Sequence, residues 1–329
     1  MKNRFGGEYD FVLPFDMYGA CIPSYKELPP VPIPSGIQIS ICVPLYNRAK
    51  IIELSLQSIL RQNFPKEAYE VIFVDDASTD NTREVIEELC KKYAEYNIKA
   101  YFREKTTTYS GVAPFNVAFR ESVGWIIMRN QIDIIHIGEM LEATWRHHNH
   151  KDKICLYPKV LQMPDHDYRT IEEQQLKYGE YTEIEKIAAS RPSPYELPGI
   201  KEQIERGMYR GLETIYDKRH FEFSQHEWGA STRKECIMQI HGRDERAIGG
   251  DEKIDFEARL TRVGIVFVRD NEIAILHRPG VHPPKREYPV APPVTDHPDD
   301  YIRNKDGNWG MLSEKERNSA IMTKAYDKH

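Results

Sequence analysis

The chain has 329 residues, and its 40% hydrophobic content is enough for a large α/β domain with additions or for two domains. Its 45 basic and 51 acidic residues give a net charge of −6, so we expect no nucleic-acid partner. No apolar stretch approaches the roughly 18–20 residues that span a bilayer, and the five cysteines show no Cys-x-x-Cys spacing. We therefore expect a soluble cytoplasmic protein without a transmembrane segment, compatible with peripheral membrane contact.

The first periodic unit is a strand, a polar turn, a helix and a second strand. Residues 39–43 form an apolar run too short for a helix, and Pro44 ends the predicted strand. Residues 53–60 place their apolar side chains on one helical face. Residues 71–74 are fully apolar, which is typical of a parallel strand buried on both faces, and Asp75 follows at the strand exit. This order predicts a nucleotide-binding βαβ unit in an α/β fold.

Polar residues follow both strands of this unit. Tyr46, Asn47 and Arg48 come after the first strand, and Asp75 and Asp76 come at the end of the second. In open α/β sheets ligands bind in the crevice beyond the carboxyl ends of the strands. We therefore expect these residues to contact a ligand.

The remaining elements follow in chain order. Ser78 or Asp80 is expected to cap a helix that begins near Thr82. Further strands are predicted near 98–102 and 125–128, and further helices near 115–123 and 139–147. The predicted organisation has four parts: an extended N-terminal arm at 1–37, a nucleotide-binding half at 38–160, a second half at 161–278 with a Tyr/Glu-rich helical insertion at 161–225, and a proline-rich C-terminal tail at 279–329.

The motifs V-P-x-Y-N-R and V-D-D-x-S-x-D together resemble the start of family 2 glycosyltransferases with the GT-A fold. This resemblance implies a Rossmann-like nucleotide-binding sheet fused to a smaller acceptor-binding part. It also implies transfer of a sugar from a nucleotide sugar, with UDP expected, to a hydroxyl of a carbohydrate or glycolipid acceptor with inversion. Asp75 would accept a hydrogen bond from the base, because a carboxylate only accepts and the uracil imide N–H donates. The implied nucleotide-binding residues are Pro44, Tyr46, Asn47, Arg48, Asp75, Asp76 and Asn116.

The chain has Gln131-Ile132-Asp133 where the family has a metal-binding Asp-x-Asp. One carboxylate still suits Mn²⁺ or Mg²⁺, because these ions are commonly held by one or two protein oxygens and the substrate's phosphates. His277 ends an apolar strand where many GT-A enzymes bring a histidine to the metal or the diphosphate. The resemblance therefore implies a divalent ion held by Gln131, Asp133 and His277. We expect His136 to be structural and residues 147–150 to face solvent at a helix end.

An acidic run follows Gly249-Gly250 and resembles the acceptor-side motif of the family. The resemblance implies that Glu252 or Asp251 removes the proton from the acceptor hydroxyl, a role that suits a positioned carboxylate. Lys253 stands where the family often has aspartate. Asp255 and Arg259 are four residues apart and predict an ion pair on one helical face.

Two alternatives remain open. A metal-independent transferase of the same fold would neutralise the departing diphosphate with a basic stretch that contains Arg278, Lys285 and Arg286. This stretch is also a candidate lid over the nucleotide. A non-catalytic subunit that binds a sugar nucleotide or a glycan is the other alternative, and the retained acidic run argues against it.

Overall fold

The computed structural model describes residues 24–104, 112–162, 228–245, 251–277, 302 and 304–328. The Tyr/Glu-rich insertion predicted at 161–225 lies almost entirely outside the described residues. So do Arg278, Lys285 and Arg286.

The described residues form strands and helices that alternate in the first half of the chain. This half contains β1 (Ile39–Leu45), α1 (Ile52–Leu60), β2 (Tyr69–Asp75), α2 (Thr82–Lys92), β3 (Asn97–Phe102), α3 (Val112–Glu121) and β4 (Ile126–Arg129). The later elements are β5 (Ile134–Ile137), α4 (Met140–His150), β6 (Ile154–Gln162), β7 (Ala230–Arg233), α5 (Lys234–Gln239), α6 (Asp251–Arg262), β8 (Val266–His277), α7 (Glu314–Asn318) and β9 (Ile321–Met322).

The described strands form one sheet in the order β5-β8-β6-β7-β4-β1-β2-β3-β9. Strands β1, β2, β3 and β4 are parallel, whereas β7 runs antiparallel to β4. The chain proceeds from β1 through β2 to β3 on one side and then returns to place β4 on the other side of β1. The crevice between β1 and β4 is therefore a topological switch point, where open α/β sheets bind ligands.

Both faces of the sheet are covered. Ile41 and Val43 belong to the core layer that contains α1 and α2, whereas Cys42 between them belongs to the layer with α3 and α6. All three side chains are 0% exposed. This alternation confirms the predicted strand type, because each successive side chain of a central strand enters the opposite apolar layer.

The predicted end of the first strand is wrong by two residues. Pro44 lies inside β1, in register with Val74 of β2, and β1 continues to Leu45. Pairing with β4 ends at Cys42, so β1 has a single neighbour at the proline. A residue without an N–H is tolerated there.

The two terminal segments pack against this body. Trp145 Nε1 donates to the Val31 carbonyl at 3.0 Å, so the end of the N-terminal arm lies along α4. Strand β9 pairs antiparallel with β3, and α7 also contacts β3. Residues 304–328 are thus part of the folded body, although the sequence grouped them with a tail. Across the described parts of the chain, no helix is long and apolar enough to cross a membrane.

Candidate functional site

The residues that follow β1, β2 and β4 lie side by side at the switch point. The Asp76 N–H donates to the Leu45 carbonyl at 2.9 Å, and the Asn130 N–H donates to the Cys42 carbonyl at 2.9 Å. The structure therefore brings the turn at 46–48 together with Asp75, Asp76 and the segment that begins at Asn130. This edge of the sheet is the candidate donor site.

The loops after β1 and β2 are held together by hydrogen bonds. Asn47 has a φ of 52°, in the left-handed region that asparagine tolerates better than most residues. Its backbone N–H donates to Ser78 Oγ at 2.8 Å, and its Oδ1 accepts from the Thr79 N–H at 2.7 Å. The Arg48 N–H donates to Thr82 Oγ1 at 2.8 Å. The two loops therefore form one preorganised wall.

Asp75 lies at the base of this wall and is only 4% exposed. Its carboxylate accepts from the Ser78 N–H at 3.1 Å and from the Ser78 hydroxyl. Burial raises the pKa of Asp75, and the two bonds from Ser78 oppose that rise. Ser78 therefore orients the Asp75 carboxylate through these two hydrogen bonds and does not cap α2. The N-cap residue of α2 is Asn81 and makes no side-chain cap, so the capping expectation is wrong for both residues, although Asp80 Oδ1 accepts a hydrogen bond from the Thr82 N–H at 3.0 Å.

Asp76 forms an ion pair with the guanidinium of Arg103, and both side chains are mostly buried. The Arg103 N–H also donates to the Asp75 carbonyl at 2.9 Å. Arg103 was missed by the sequence reasoning. Its position directly after a predicted strand at 98–102 was the available signal.

Asp133 and His277 meet at the far end of the same edge. Asp133 Oδ2 lies 3.8 Å from His277 Nε2, and the two side chains are 2% and 8% exposed. They meet because β5 and β8 are antiparallel, with Ile134 opposite His277. Trp228 stacks on the His277 ring with centroids 3.9 Å apart and an interplanar angle of 12°. Gln131 is half-buried, two residues before Asp133.

The Asp133–His277 pair offers one carboxylate and one imidazole to a metal. Within the described ranges, no group of three or more His, Cys, Asp or Glu side chains could hold an ion. Such a pair nevertheless suits Mn²⁺ or Mg²⁺ when phosphate oxygens and water complete the coordination shell. The residues present thus fit an ion that binds together with a diphosphate.

The other histidines have structural surroundings. His136 Nε2 lies 2.9 Å from Asn130 Oδ1, and burial lowers the pKa of His136 to about 3, so the ring is neutral. This agrees with the expected structural role. The expectation of solvent exposure is wrong for His147 and His148, which are buried because that face of α4 packs on the sheet. His147 Nε2 lies 2.9 Å from Asp270 Oδ2.

Asn116 does not lie on the crevice surface. It is 0% exposed on α3, and its Nδ2 donates to the Arg243 carbonyl and to Glu245 Oε1, both at 2.9 Å. Its Oδ1 accepts from the Arg243 N–H at 2.8 Å. A nucleotide contact through this amide would require these bonds to break. In this structure the Asn116 amide joins α3 to residues 243–245, and its role at the nucleotide stays a prediction.

The acidic run begins α6. Asp251 and Glu252 are the first residues of this helix, and their side chains lie outside the described residues. Arg259 Nε donates to Asp255 Oδ2 at 2.8 Å, which confirms the predicted pair. Arg259 Nη1 also donates to the carbonyls of Ile240 and Gly242, at 2.9 and 2.7 Å. The helix is therefore bonded to the loop that precedes the acidic run.

Comparison with known proteins finds relatives of part of this chain. The profile described as "Glycosyl transferase family 2" matches residues 40–201. A poly(ribitol-phosphate) β-N-acetylglucosaminyltransferase of Staphylococcus aureus, TarS, is 36% identical over 125 residues, which are 37% of this chain and 21% of the relative. A dolichyl N-acetyl-α-D-glucosaminyl phosphate 3-β-D-2,3-diacetamido-2,3-dideoxy-β-D-glucuronosyltransferase of Methanococcus voltae is 46% identical over 67 residues, which are 20% of this chain and 21% of the relative. The matched regions thus span about a fifth of each relative's length.

Two solved structures have the same fold. Residues 1–349 of S. aureus TarS in complex with UDP superpose with a TM-score of 0.51 at 20% identity, over 74% of this chain and 60% of that chain. A mannosyltransferase of Pyrobaculum calidifontis in complex with GDP-Man and Mn²⁺ superposes with a TM-score of 0.51 at 17% identity, over 81% of this chain and 62% of that chain. The expected α/β fold of the GT-A type is therefore confirmed.

Proposed function

Because this chain belongs to glycosyl transferase family 2 and has the GT-A fold, we propose that it transfers a sugar from a UDP-sugar to a hydroxyl acceptor with inversion. The observation that carries the proposal is that Asp75 and the Asp133–His277 pair lie at the same edge of the sheet. There the wall formed by Asn47 and Thr79 holds Asp75 at the same sheet edge as the Asp133–His277 pair. We assign the nucleotide base to the Asp75 end and the diphosphate to the Asp133–His277 end, because ligands of open α/β sheets bind beyond the carboxyl ends of the strands.

Asp75 would read the base. A carboxylate has about four lone-pair sites, and the bonds from Ser78 use two of them. The sites that remain can accept from the imide N–H of uracil. Pro44, Tyr46, Asn47 and Arg48 form the adjoining turn and would contact the nucleotide. Asp76 would act through Arg103, since the two are paired.

Asp133 and His277, with Gln131 beside them, would hold a divalent ion. When bound, the ion supplies positive charge that stabilises the departing diphosphate. The stack of Trp228 on His277 would fix the orientation of the imidazole.

The displacement itself needs one base. The acceptor oxygen forms a bond to the anomeric carbon as the bond from that carbon to the diphosphate breaks. The hydroxyl proton goes to Glu252 or Asp251, and the diphosphate leaves with the bonding electrons. A base of this kind contributes about 10²–10⁴-fold. Glu252→Gln and Asp251→Asn separate the two candidates, since only the variant that lacks the base should lose rate on that scale.

Thermal stabilisation by UDP-, GDP-, dTDP- and CMP-sugars, each with Mn²⁺ or EDTA, tests the donor site, because a ligand of the folded state raises apparent stability. We expect UDP-sugars with Mn²⁺ to stabilise most, and the preferred donor then enters a turnover assay. Equal stabilisation in EDTA would favour the metal-independent transferase, in which Arg278, Lys285 and Arg286 contact the diphosphate. Binding without hydrolysis or transfer would favour the non-catalytic subunit. No response to any nucleotide would overturn the proposal.

A cytoplasmic location stays a prediction. Cys42, Cys90, Cys155 and Cys236 are buried free thiols, which suits a reducing compartment. A carbohydrate or glycolipid acceptor likewise stays a prediction.

A further inference from the structure

The C-terminal segment is built into the loop that precedes the acidic run. We call residues 304–310 the C-terminal clamp and residues 240–245 the acceptor loop. Asn304 Nδ2 donates to the His241 and Arg243 carbonyls, at 2.9 and 2.7 Å, and its Oδ1 accepts from the Glu245 N–H at 3.3 Å. One amide side chain therefore satisfies three backbone groups of the acceptor loop.

The rest of the clamp encloses the same loop. The Gly310 N–H donates to Glu245 Oε1 at 2.9 Å, and the Trp309 ring, only 3% exposed, stacks against the His241 ring. Gly242 has a φ of 65°, and a Cβ on it would lie 2.7 Å from Trp309. The loop and the clamp are thus in contact at a distance that admits no extra atom.

The acceptor loop is also bonded to the helix of the acidic run. Arg259 of α6 is 3% exposed and donates to the Ile240 and Gly242 carbonyls. Its Nε is paired with Asp255 at 2.8 Å, which fixes the guanidinium on the helix. A shift of the loop would therefore be transmitted to α6. Asp251 and Glu252 begin that helix, one turn before Asp255.

We propose that the C-terminal clamp is a positioning element for the acceptor proton step, and that Asn304 is its principal positioning residue. This inference rests on the proposed function, because it assigns the clamp to the helix that would carry the base. The clamp fixes the acceptor loop, the loop fixes α6 through Arg259, and α6 places its first turn. Asn47 and Asp75 in the donor wall are held by hydrogen bonds from Ser78 and Thr79, so the donor wall should not depend on the clamp.

The test uses Asn304→Asp and Asn304→Gly in the full chain. Asn304 has a φ of 51°, so glycine keeps the backbone and removes only the side-chain bonds. Aspartate cannot donate to the two carbonyls and places a charge against them. Asn308→Asp is the matched control, since Asn308 is an exposed asparagine of the same segment. The measurements are kcat, KM for the donor, Kd for UDP by calorimetry, and amide hydrogen exchange.

We expect both Asn304 variants to lower kcat by about 100-fold, the order of loss that a displacement of about 1 Å produces. The Kd for UDP and the KM for the donor should change by less than about twofold, and Asn308→Asp should match wild type. Amides of the acceptor loop and α6 should exchange faster in both variants, whereas those of α1 should not. An unchanged kcat, an equal loss of UDP affinity, or unchanged exchange in α6 would each overturn the proposal.

Nucleotide binding and turnover test the proposed function, whereas hydrogen exchange in α6 tests the clamp separately. If wild type binds no nucleotide and turns over no nucleotide sugar, the proposed function fails. Hydrogen exchange then still decides whether the clamp holds α6.

Discussion

Asn47 Oδ1 accepts a hydrogen bond of 2.7 Å from the Thr79 N–H, across 32 residues of sequence, and so joins the loops that follow β1 and β2. The Asn47 Nδ2 in turn donates to Thr79 Oγ1 at 3.1 Å. These loops form the wall of the proposed donor site.

Asn47→Gly should lower the free energy of unfolding by about 1–2 kcal/mol, because it removes the side-chain hydrogen bonds of Asn47 with Thr79 and Asp80. Glycine keeps the left-handed backbone at this position. UDP affinity should fall about tenfold, since 1.4 kcal/mol of lost preorganisation is a factor of ten. Urea unfolding and calorimetry provide the measurements. Asn47→Asp keeps the acceptor and should retain most of the stability, so equal losses in the two variants would contradict the role of Oδ1.

Asp75→Asn should weaken UDP binding by about 10–100-fold, because hydrogen bonds to a charged group contribute about 1.5–3 kcal/mol. The pH dependence is a second signature. Burial raises the pKa of Asp75, so the carboxylate protonates at a higher pH than usual and UDP affinity should fall as the pH drops through that raised value. The Asn variant should show no such fall between about pH 4 and 7. If UDP affinity changes with pH in the same way in wild type and variant, Asp75 does not bind the base.

Asp133→Asn and His277→Asn should each weaken Mn²⁺-dependent UDP binding by at least about 100-fold, since loss of outer-shell partners alone costs about 10–100-fold in metal affinity. The readout is a titration of Mn²⁺ at fixed UDP, followed by calorimetry or fluorescence. UDP binding in EDTA should be the same in both variants as in wild type. If the UDP affinity of the wild-type protein does not change with Mn²⁺ concentration, Asp133 and His277 do not hold an ion for UDP binding.

Gly242→Ala should destabilise the fold strongly, because the new Cβ would lie 2.5 Å from Asn116 Oδ1 and 2.7 Å from Trp309. Gly36→Ala is the matched control: Gly36 also has a positive φ, and nothing lies within 4 Å of its Cβ position. The control should cost about 1–2 kcal/mol from the backbone alone. Gly242→Ala should cost about 2 kcal/mol more, from overpacking. If the two variants lose the same free energy of unfolding in urea, Asn116 and Trp309 move away from the new Cβ without cost.

Asp270→Asn should destabilise the protein in a pH-dependent way. Burial acts to raise the pKa of Asp270, but hydrogen bonds from His147 and from the backbone N–H groups of Glu272 and Tyr25 outweigh it, and the pKa is lowered. The stability that Asp270 contributes is therefore complete above its unfolded pKa and is lost as the pH falls through the lower folded value. Urea unfolding between about pH 3 and 7 should show the two proteins converging at the acid end. Asp306→Asn, at an exposed site, should show no such convergence.

Much of the fold was readable from local pattern. The apolar runs at 39–43 and 71–74 are strands because their side chains alternate into two apolar layers, and helix α2 begins at Thr82 as predicted. The Asp255–Arg259 pair was also predictable, since residues four apart share a helical face. Such features depend on spacing along the chain, which the sequence displays directly.

Contacts between distant segments needed the tertiary structure. Asn116 was expected at the nucleotide, yet its amide donates hydrogen bonds to Arg243 and Glu245. These partners lie 127 and 129 positions further along the chain. His147 was expected in solvent, yet it meets Asp270 across 123 positions. The periodicity of a helix predicts which side chains share a face, but not which partner covers that face.

The sequence by itself determined the βαβ unit, the order of its loops and the residue types available to bind a nucleotide. Only the tertiary structure decided that Ser78 serves Asp75, that β5 and β8 bring Asp133 to His277, and that Asn304 holds the acceptor loop. The physical reason is that local structure follows from backbone preference and side-chain period. Long-range pairing is selected by the free energy of packing and hydrogen bonding over the whole chain.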